Sequence, residues 1–198
     1  MAHDARLAVL RRALSDDMTA RYPEFEPDSD DHLTANIRFM LACRGVAALG
    51  CCAIQTNAGS GLDGMELKRM YVVPEVRGSS VAQMLLGSAE FLAAQLGAAQ
   101  LYLETGVRQP EAIRFYERNG YSRIPLYPPY TESALSVSYA KSLAALDVDV
   151  RAYERAYRTD SVGENAGRGQ FAAGRLSNTA ARPASSRATG TRNGEQDT

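Results

Sequence analysis

The sequence predicts a mixed α/β layer, one domain with an appendage. Helix-like and strand-like apolar patterns alternate through most of the 198 residues. One strand-like run stops at a proline and passes through a small-residue turn straight into a helical pattern. The composition, 45% hydrophobic and 23% charged, is that of a folded domain and excludes a wholly disordered chain or a fibre.

Taken in order, Leu7, Leu10, Leu14 and Met18 recur at helical spacing. The pattern stops at Tyr22-Pro23, because a proline disfavours helix at the residue before it. Glu24 to Asp31 reads as an acidic loop. Ile37 to Cys43 and Val46 to Thr56 are apolar runs joined at Arg44-Gly45, the pattern of a β-hairpin. A glycine-rich loop at Gly59, Gly61 and Gly64 leads into a strand over Met65 to Val73, which Pro74 ends. Ser79 and Ser80 are of the type that caps a helix start. Behind them Val81, Met84, Leu85, Ser88, Leu92 and Leu96 trace one helix face, with Gly97 as the stop.

Leu101 and Leu103 alternate with Tyr102 and Glu104 over Gln100 to Thr105, as a strand would. Pro110 suits the first turn of a helix that runs to Asn119 and is closed by Gly120. Short strands over Tyr121 to Ile124 and Leu135 to Lys141 complete a domain expected to span 1–143. An added helix is expected over 144–157 and a disordered tail over 158–198. The large apolar residues of that tail are Val162, Phe171 and Leu176, too few to offset the entropy of ordering it.

Lys and Arg (22) nearly balance Asp and Glu (23), so no basic field exists to gather nucleic acid, and no such partner is expected. The tail carries six arginines against four acids and reads as a solvated extension. No apolar run approaches the roughly 20 residues that span a bilayer. Asp4, Arg6, Arg11 and Arg12 interrupt the start where a secretory signal would be apolar. No membrane partner and a cytoplasmic location are expected. Cys43, Cys51 and Cys52 lack paired spacing, and with His3 and His32 as the only histidines no metal site is expected. The cysteines read as small apolar strand residues in a reducing compartment.

The informative stretches are MELKRMYVVPEVRGSSVA, from Met65 to Ala82, and QPEAIRFYERNGY, from Gln109 to Tyr121. A turn of small residues between a strand and a helix start can aim several backbone N–H groups at one anion, since bulky side chains would obstruct the approach. A helix cap whose small residues merely pack would carry the same turn.

Joined, the two stretches closely resemble the GNAT superfamily of acetyl-CoA-dependent N-acetyltransferases. The family's pyrophosphate motif is Gln or Arg, two residues, Gly, one residue, then Gly or Ala. Here it reads Arg77-Gly78-Ser79-Ser80-Val81-Ala82, with Ser80 in place of the glycine. The second signature places an Asn, an Ala, a Phe-Tyr pair and a Gly-aromatic pair at fixed spacing. Gln109, Ala112, Phe115, Tyr116, Gly120 and Tyr121 fill those places, Gln109 standing where Asn is usual. The resemblance spans roughly Asp31 to Lys141. It implies a mostly antiparallel central sheet flanked by helices; the strand usual before the first helix is not evident.

The resemblance also implies a site, with acetyl-CoA as co-substrate. Backbone N–H groups from Arg77 through Gly78, Ser79, Ser80 and Val81 to Ala82 would hold the pyrophosphate. The strand end at Met70, Tyr71 and Val72 would pair with the pantetheine arm, a backbone N–H near Met70 or Tyr71 facing the developing oxyanion. Gln109 would offer its amide to that arm, with Ala112 beside it. Tyr116 is the expected general acid and Glu66 the expected water-assisted base, with Glu104 on the facing strand as substitute. Strand alternation puts Glu66, Lys68 and Met70 on one face. Tyr127, Pro128, Pro129 and Tyr130 resemble the loop that overhangs the acceptor. They could wall an apolar amine or pack on themselves as a rigid loop.

The expected activity is acetyl transfer to a small-molecule or peptide amine by direct attack in a ternary complex. No cysteine or serine in the two motifs has an evident base partner for a covalent intermediate. The alternative is a catalytically silent acyl-CoA-binding sensor or scaffold module, and self-association as a homodimer is left open.

Overall fold

The computed structural model describes residues 4–24 and 36–144. The acidic loop expected over Glu24 to Asp31, apart from Glu24, the helix expected over 144–157, apart from Ala144, and the tail from 158 lie outside them. Within them the chain runs α1 (Ala5–Arg21), β1 (Arg38–Arg44), β2 (Ala47–Gln55), β3 (Met65–Val72), α2 (Val81–Gln95), β4 (Gln100–Gly106), α3 (Pro110–Arg118), β5 (Ser122–Ile124) and β6 (Ser136–Ser142). This is the expected order. No strand precedes α1 among the described residues.

The six strands form one sheet in the order β1-β2-β3-β4-β6-β5. Every neighbouring pair is antiparallel except β3 and β4, which α2 connects in parallel. Leu7, Leu10 and Leu14 of α1 pack on one face against Phe39, Cys51, Ala53 and Tyr71. On the other face α2 and Tyr116 of α3 cover Cys52, Ile54, Leu67, Leu101 and Leu103. The adjacent Cys51 and Cys52 are both buried, and alternation sends them to opposite cores, as small apolar strand residues.

Local signals explain the boundaries. Asp4 caps α1 by accepting from Arg6 N–H, and the Arg6 side chain holds the Asp4 carboxyl down to about 2. Helices α2 and α3 end alike. Ala98 N–H reaches back to Ala93 O and Gly97 N–H to Ala94 O, while Tyr121 and Gly120 N–H reach Tyr116 and Glu117 O.

Two details depart from the periodicity reading. The buried stripe of α2 is Val81, Leu85, Leu86, Ala89, Glu90 and Ala93, whereas Leu96 is 42% exposed. Ala89 and Ala93 are fully buried and continue the stripe of Leu85 and Leu86, while Met84, Ser88 and Leu92 are displaced from it. Glu90 is tolerated there because Lys141 Nζ lies 2.9 Å from both of its oxygens. The second departure is the cap of α2. Ser80 stands at the N-cap but its side chain makes no capping bond, and Ser79 Oγ instead accepts from Val81 N–H at 3.4 Å.

Candidate active site

β3 and β4 part company midway along their length. Their pairing covers Met65, Glu66 and Leu67 against Leu101, Tyr102 and Leu103, while β3 continues to Val72 and β4 to Gly106. Beyond this fork, from Lys68 on one arm and Glu104 on the other, backbone groups facing inward have no ladder partner in the sheet. Val73 N–H donates to Leu49 O at 3.0 Å, and the Tyr71–Cys51 pair lies two residues away on the same ladder. Tyr71 N–H is therefore turned into β2, and Val72 N–H faces the gap. Of the two amides expected to face an oxyanion, Tyr71 is thus already spent.

A bulge sits at the fork. Ala53 pairs with Lys68 and Cys51 with Tyr71, so Arg69 and Met70 together oppose Cys52. Arg69 adopts φ 55°, a left-handed conformation costly for a residue with a side chain. The extra residue resets the alternation. Met65 and Leu67 face the α2 core, but Met70 and Val72 pack on that same core. Glu66 and Lys68 face the other way, so the expected shared face of Glu66, Lys68 and Met70 is broken at Arg69.

Tyr116 lies on the α2 side of the sheet, 7% exposed, with its hydroxyl donating to Met70 Sδ at 3.6 Å. Burial pushes its phenol above the ordinary value of 10.0, and nearby Cys52 and Glu104 add to the effect. The phenol is therefore a proton donor throughout the neutral range.

The turn before α2 is open. Arg77, Gly78, Ser79 and Ser80 are all exposed. Gly78 has φ +80° with no atom near the position of a Cβ, so the backbone there is bare and any side chain would be strained. The first-turn N–H groups of α2, at Val81 and Ala82, have no intrahelical acceptors, and their helix end is electropositive. These features fit an anionic pyrophosphate. The Arg77 side chain is engaged elsewhere: Nε donates to Val72 O (3.0 Å), Nη2 reaches Asp17 of α1 (3.2 Å), and the guanidinium lies 5.4 Å from the Tyr71 ring centroid.

Gln109 does not cap α3 with its side chain. Its Oε1 accepts from Thr105 Oγ1 (3.1 Å) and Gly106 N–H (3.0 Å), tying α3 to the end of β4. Its Nε2 has no protein partner among the described residues, and Ala112 N–H is taken by Gln109 O.

The opposite face carries the two carboxylates. Glu104 is half-buried, one residue past the fork. Glu66 is 1% exposed and enclosed by donors: Tyr127 Oη at 3.0 Å, Asn57 Nδ2 at 3.2 Å, Gln55 Nε2 at 3.4 Å and Lys68 Nζ at 3.5 Å. Tyr127 packs edge-on against Tyr102 and Tyr130, so the loop of Tyr127 to Tyr130 is docked on the sheet. Sequence reasoning missed Gln55, Asn57 and Tyr22 as parts of this face. Tyr22, set by the proline stop after α1, accepts from Arg108 N–H at 2.9 Å and is seated over Gly106.

The sequence matches the acetyltransferase (GNAT) family model over residues 7–121. The chain belongs to the GNAT family. As a GNAT enzyme it is an N-acetyltransferase with acetyl-CoA as co-substrate. It is 37% identical over 110 residues to an IAA acetyltransferase of Azospirillum brasilense, covering 54% of this chain and 69% of that one. It is 31% identical over 93 residues to an aminoalkylphosphonate N-acetyltransferase of Salmonella typhimurium, covering 46% and 60%. A solved Klebsiella pneumoniae structure assigned as an acyl-CoA N-acyltransferase shares 31% identity at a TM-score of 0.58, over 71% of this chain and 92% of that one. The mixed sheet with one parallel pair is thus the GNAT fold. No helix among the described residues is long and apolar enough to cross a membrane.

Proposed function

We propose that this GNAT enzyme acetylates a primary amine by direct attack in a ternary complex, with Tyr116 as general acid and Glu104 as general base. The observation that carries the reading is the fork itself. It opens beyond Leu67 and Leu103 with the Tyr116 hydroxyl at Met70 on one side of the sheet and the Glu104 carboxylate on the other. Acetyl-CoA supplies the activated acyl group as a thioester. The α2 N-terminus from Gly78 to Ala82 would hold its pyrophosphate, and the edge of β3 beyond its pairing with β4, with Val72 N–H turned inward, would align the arm.

Glu104 takes a proton from the incoming ammonium, freeing the nitrogen lone pair. The C–N bond forms as the C–S bond breaks, Tyr116 Oη gives its proton to the departing sulfur, and the second proton shed by the acylated nitrogen restores the Tyr116 phenol. A thiol's ordinary pKa is about 8.5, so proton transfer from a raised phenol is uphill and is best concerted with departure. With Tyr71 N–H spent on β2, the backbone N–H of Val72, turned into the gap, is the donor offered to the carbonyl oxygen. A covalent acyl-enzyme is disfavoured, because burial pushes the Cys51 thiol up to about 12 and that of Cys52 higher still.

Glu104 is preferred to Glu66 because it is half-buried one residue past the fork, within reach of an incoming amine, whereas Glu66 is 1% exposed beneath its own donors. The names of the two relatives suggest small acceptors, an aminoalkylphosphonate among them. The test is release of free thiol from acetyl-CoA offered a panel of tyramine, spermidine, alanine and 2-aminoethylphosphonate. A silent sensor binds the coenzyme and releases none. Glu104→Gln should lower kcat/KM by about 10²- to 10⁴-fold at neutral pH and flatten the acid limb of the profile. An unchanged limb rejects Glu104 as the base.

A further inference from the structure

We propose that Glu66 is a positioning residue, whose carboxylate latches the loop from Tyr127 to Tyr130 onto the acceptor face of the sheet and thereby sets acceptor affinity. The proposal rests on the acetyl-transfer reading above, and assigns this carboxylate to binding instead of proton transfer. Its donors come from four separate places in the chain: Gln55 ends β2, Asn57 lies in the connection to β3, Lys68 is on β3 itself, and Tyr127 lies 61 residues beyond Glu66. A charge 1% exposed is costly unless its lone pairs are satisfied, and here each oxygen has at least two donors nearby.

The same donors grip the loop a second time. Asn57 Nδ2 also reaches Pro128 O at 3.4 Å, and Lys68 Nζ donates to Tyr130 Oη at 2.7 Å. Glu66 thus organises contacts to Tyr127, Pro128 and Tyr130 together, while Tyr102 supports the Tyr127 ring from below at 5.0 Å. Burial, with Glu66 next in effect, pushes the Tyr127 phenol upward, so it remains a donor across the working pH range. The loop is therefore both a self-packed aromatic unit and a wall, because one carboxylate fixes it beside the fork and Glu104.

Two variants of nearly unchanged volume test the latch: Glu66→Gln removes the charge and Tyr127→Phe removes the principal donor while keeping the ring. For the panel amine that wild type turns over fastest, both should raise the amine KM by about 5- to 50-fold with kcat within about threefold and the acid limb unmoved. Their combined effect should be less than the product of the two, since they break one interaction. The Tyr130 amide, which donates to Tyr127 O, should exchange its hydrogen at least about tenfold faster in either variant. A fall in kcat of about 100-fold at unchanged KM, with loss of the acid limb in Glu66→Gln, makes Glu66 the base and overturns the proposal. So does unaltered KM, or unaltered amide exchange. If wild type releases no thiol with any amine, the transfer reading fails on its own, and the exchange experiment still decides the latch.

Discussion

Tyr116 Oη lies 3.6 Å from Met70 Sδ, at the bulge in the β2–β3 ladder just beyond the point where β3 parts from β4. The phenol and the strand edge are thereby held together by a weak contact that either partner can relinquish. Tyr116→Phe should leave the fold and coenzyme affinity nearly intact, because a single thioether contact is lost. Turnover should fall by about 10- to 10³-fold. The phenol's value is raised, so its acid form is fully present below its ordinary range near 10. The variant should therefore leave any alkaline limb below pH 10 where it stands. Steady-state rates across pH, with calorimetry for coenzyme binding, check both statements; unchanged turnover rejects Tyr116 as the acid.

Ser80 occupies the place of a family glycine, yet its Oγ makes only a long contact to Met84 Sδ at 3.9 Å and no cap bond. Ser80→Gly should hold or tighten coenzyme affinity in calorimetry, at a stability cost of a few tenths of a kcal/mol, about that of a Ser-to-Gly cap change. Marked weakening would mean that the hydroxyl touches the coenzyme.

Gly106 is needed for space. A Cβ there would run into the Tyr22 hydroxyl and ring edge, which link the end of α1 to the β4–α3 turn. Gly106→Ala should destabilise the protein by about 1–3 kcal/mol in chemical denaturation. Adding Tyr22→Phe, which removes the first atom in the way, should restore part of the loss. If the single variant is as stable as wild type, Tyr22 is not seated against Gly106.

Burial raises the phenols of Tyr102, Tyr116, Tyr121 and Tyr127 above 10.0. In the unfolded chain they ionise near 10, whereas in the native state they keep their protons. The folded state thus binds more protons above that pH, and its stability must fall as pH rises through and beyond 10. Denaturation midpoints between pH 8 and pH 11 should be level at first and then drop, with delayed phenolate absorbance in the native protein. Midpoints that stay level to pH 11 contradict the buried phenols.

Much of this was legible in the residues. Proline stops at Pro23 and Pro74, the helix ends at Gly97 and Gly120, and the alternation of Leu101 and Leu103 are local properties, and each element appears where those signals put it. The Arg77-to-Ala82 turn and the Tyr116 signature were equally visible, being contiguous. The buried α2 face lies one step from its most apolar stripe, because Ala89 and Ala93 carry little hydrophobic signal yet are fully buried. The buried Glu90 was invisible for a related reason, since its partner Lys141 is 51 residues away.

From its sequence alone, the order of helices and strands and the family's two contiguous motifs were determined, since periodicity, capping and turn chemistry act between near neighbours. Which way Met70 points, and what encloses Glu66, were decided only by the tertiary structure. A bulge exists only in the pairing of two strands, here Arg69 and Met70 against Cys52, and it inverts every side chain beyond it. Likewise a carboxylate is free or latched according to donors that the fold delivers from Gln55, Asn57, Lys68 and Tyr127, and such convergence has no signature along the chain.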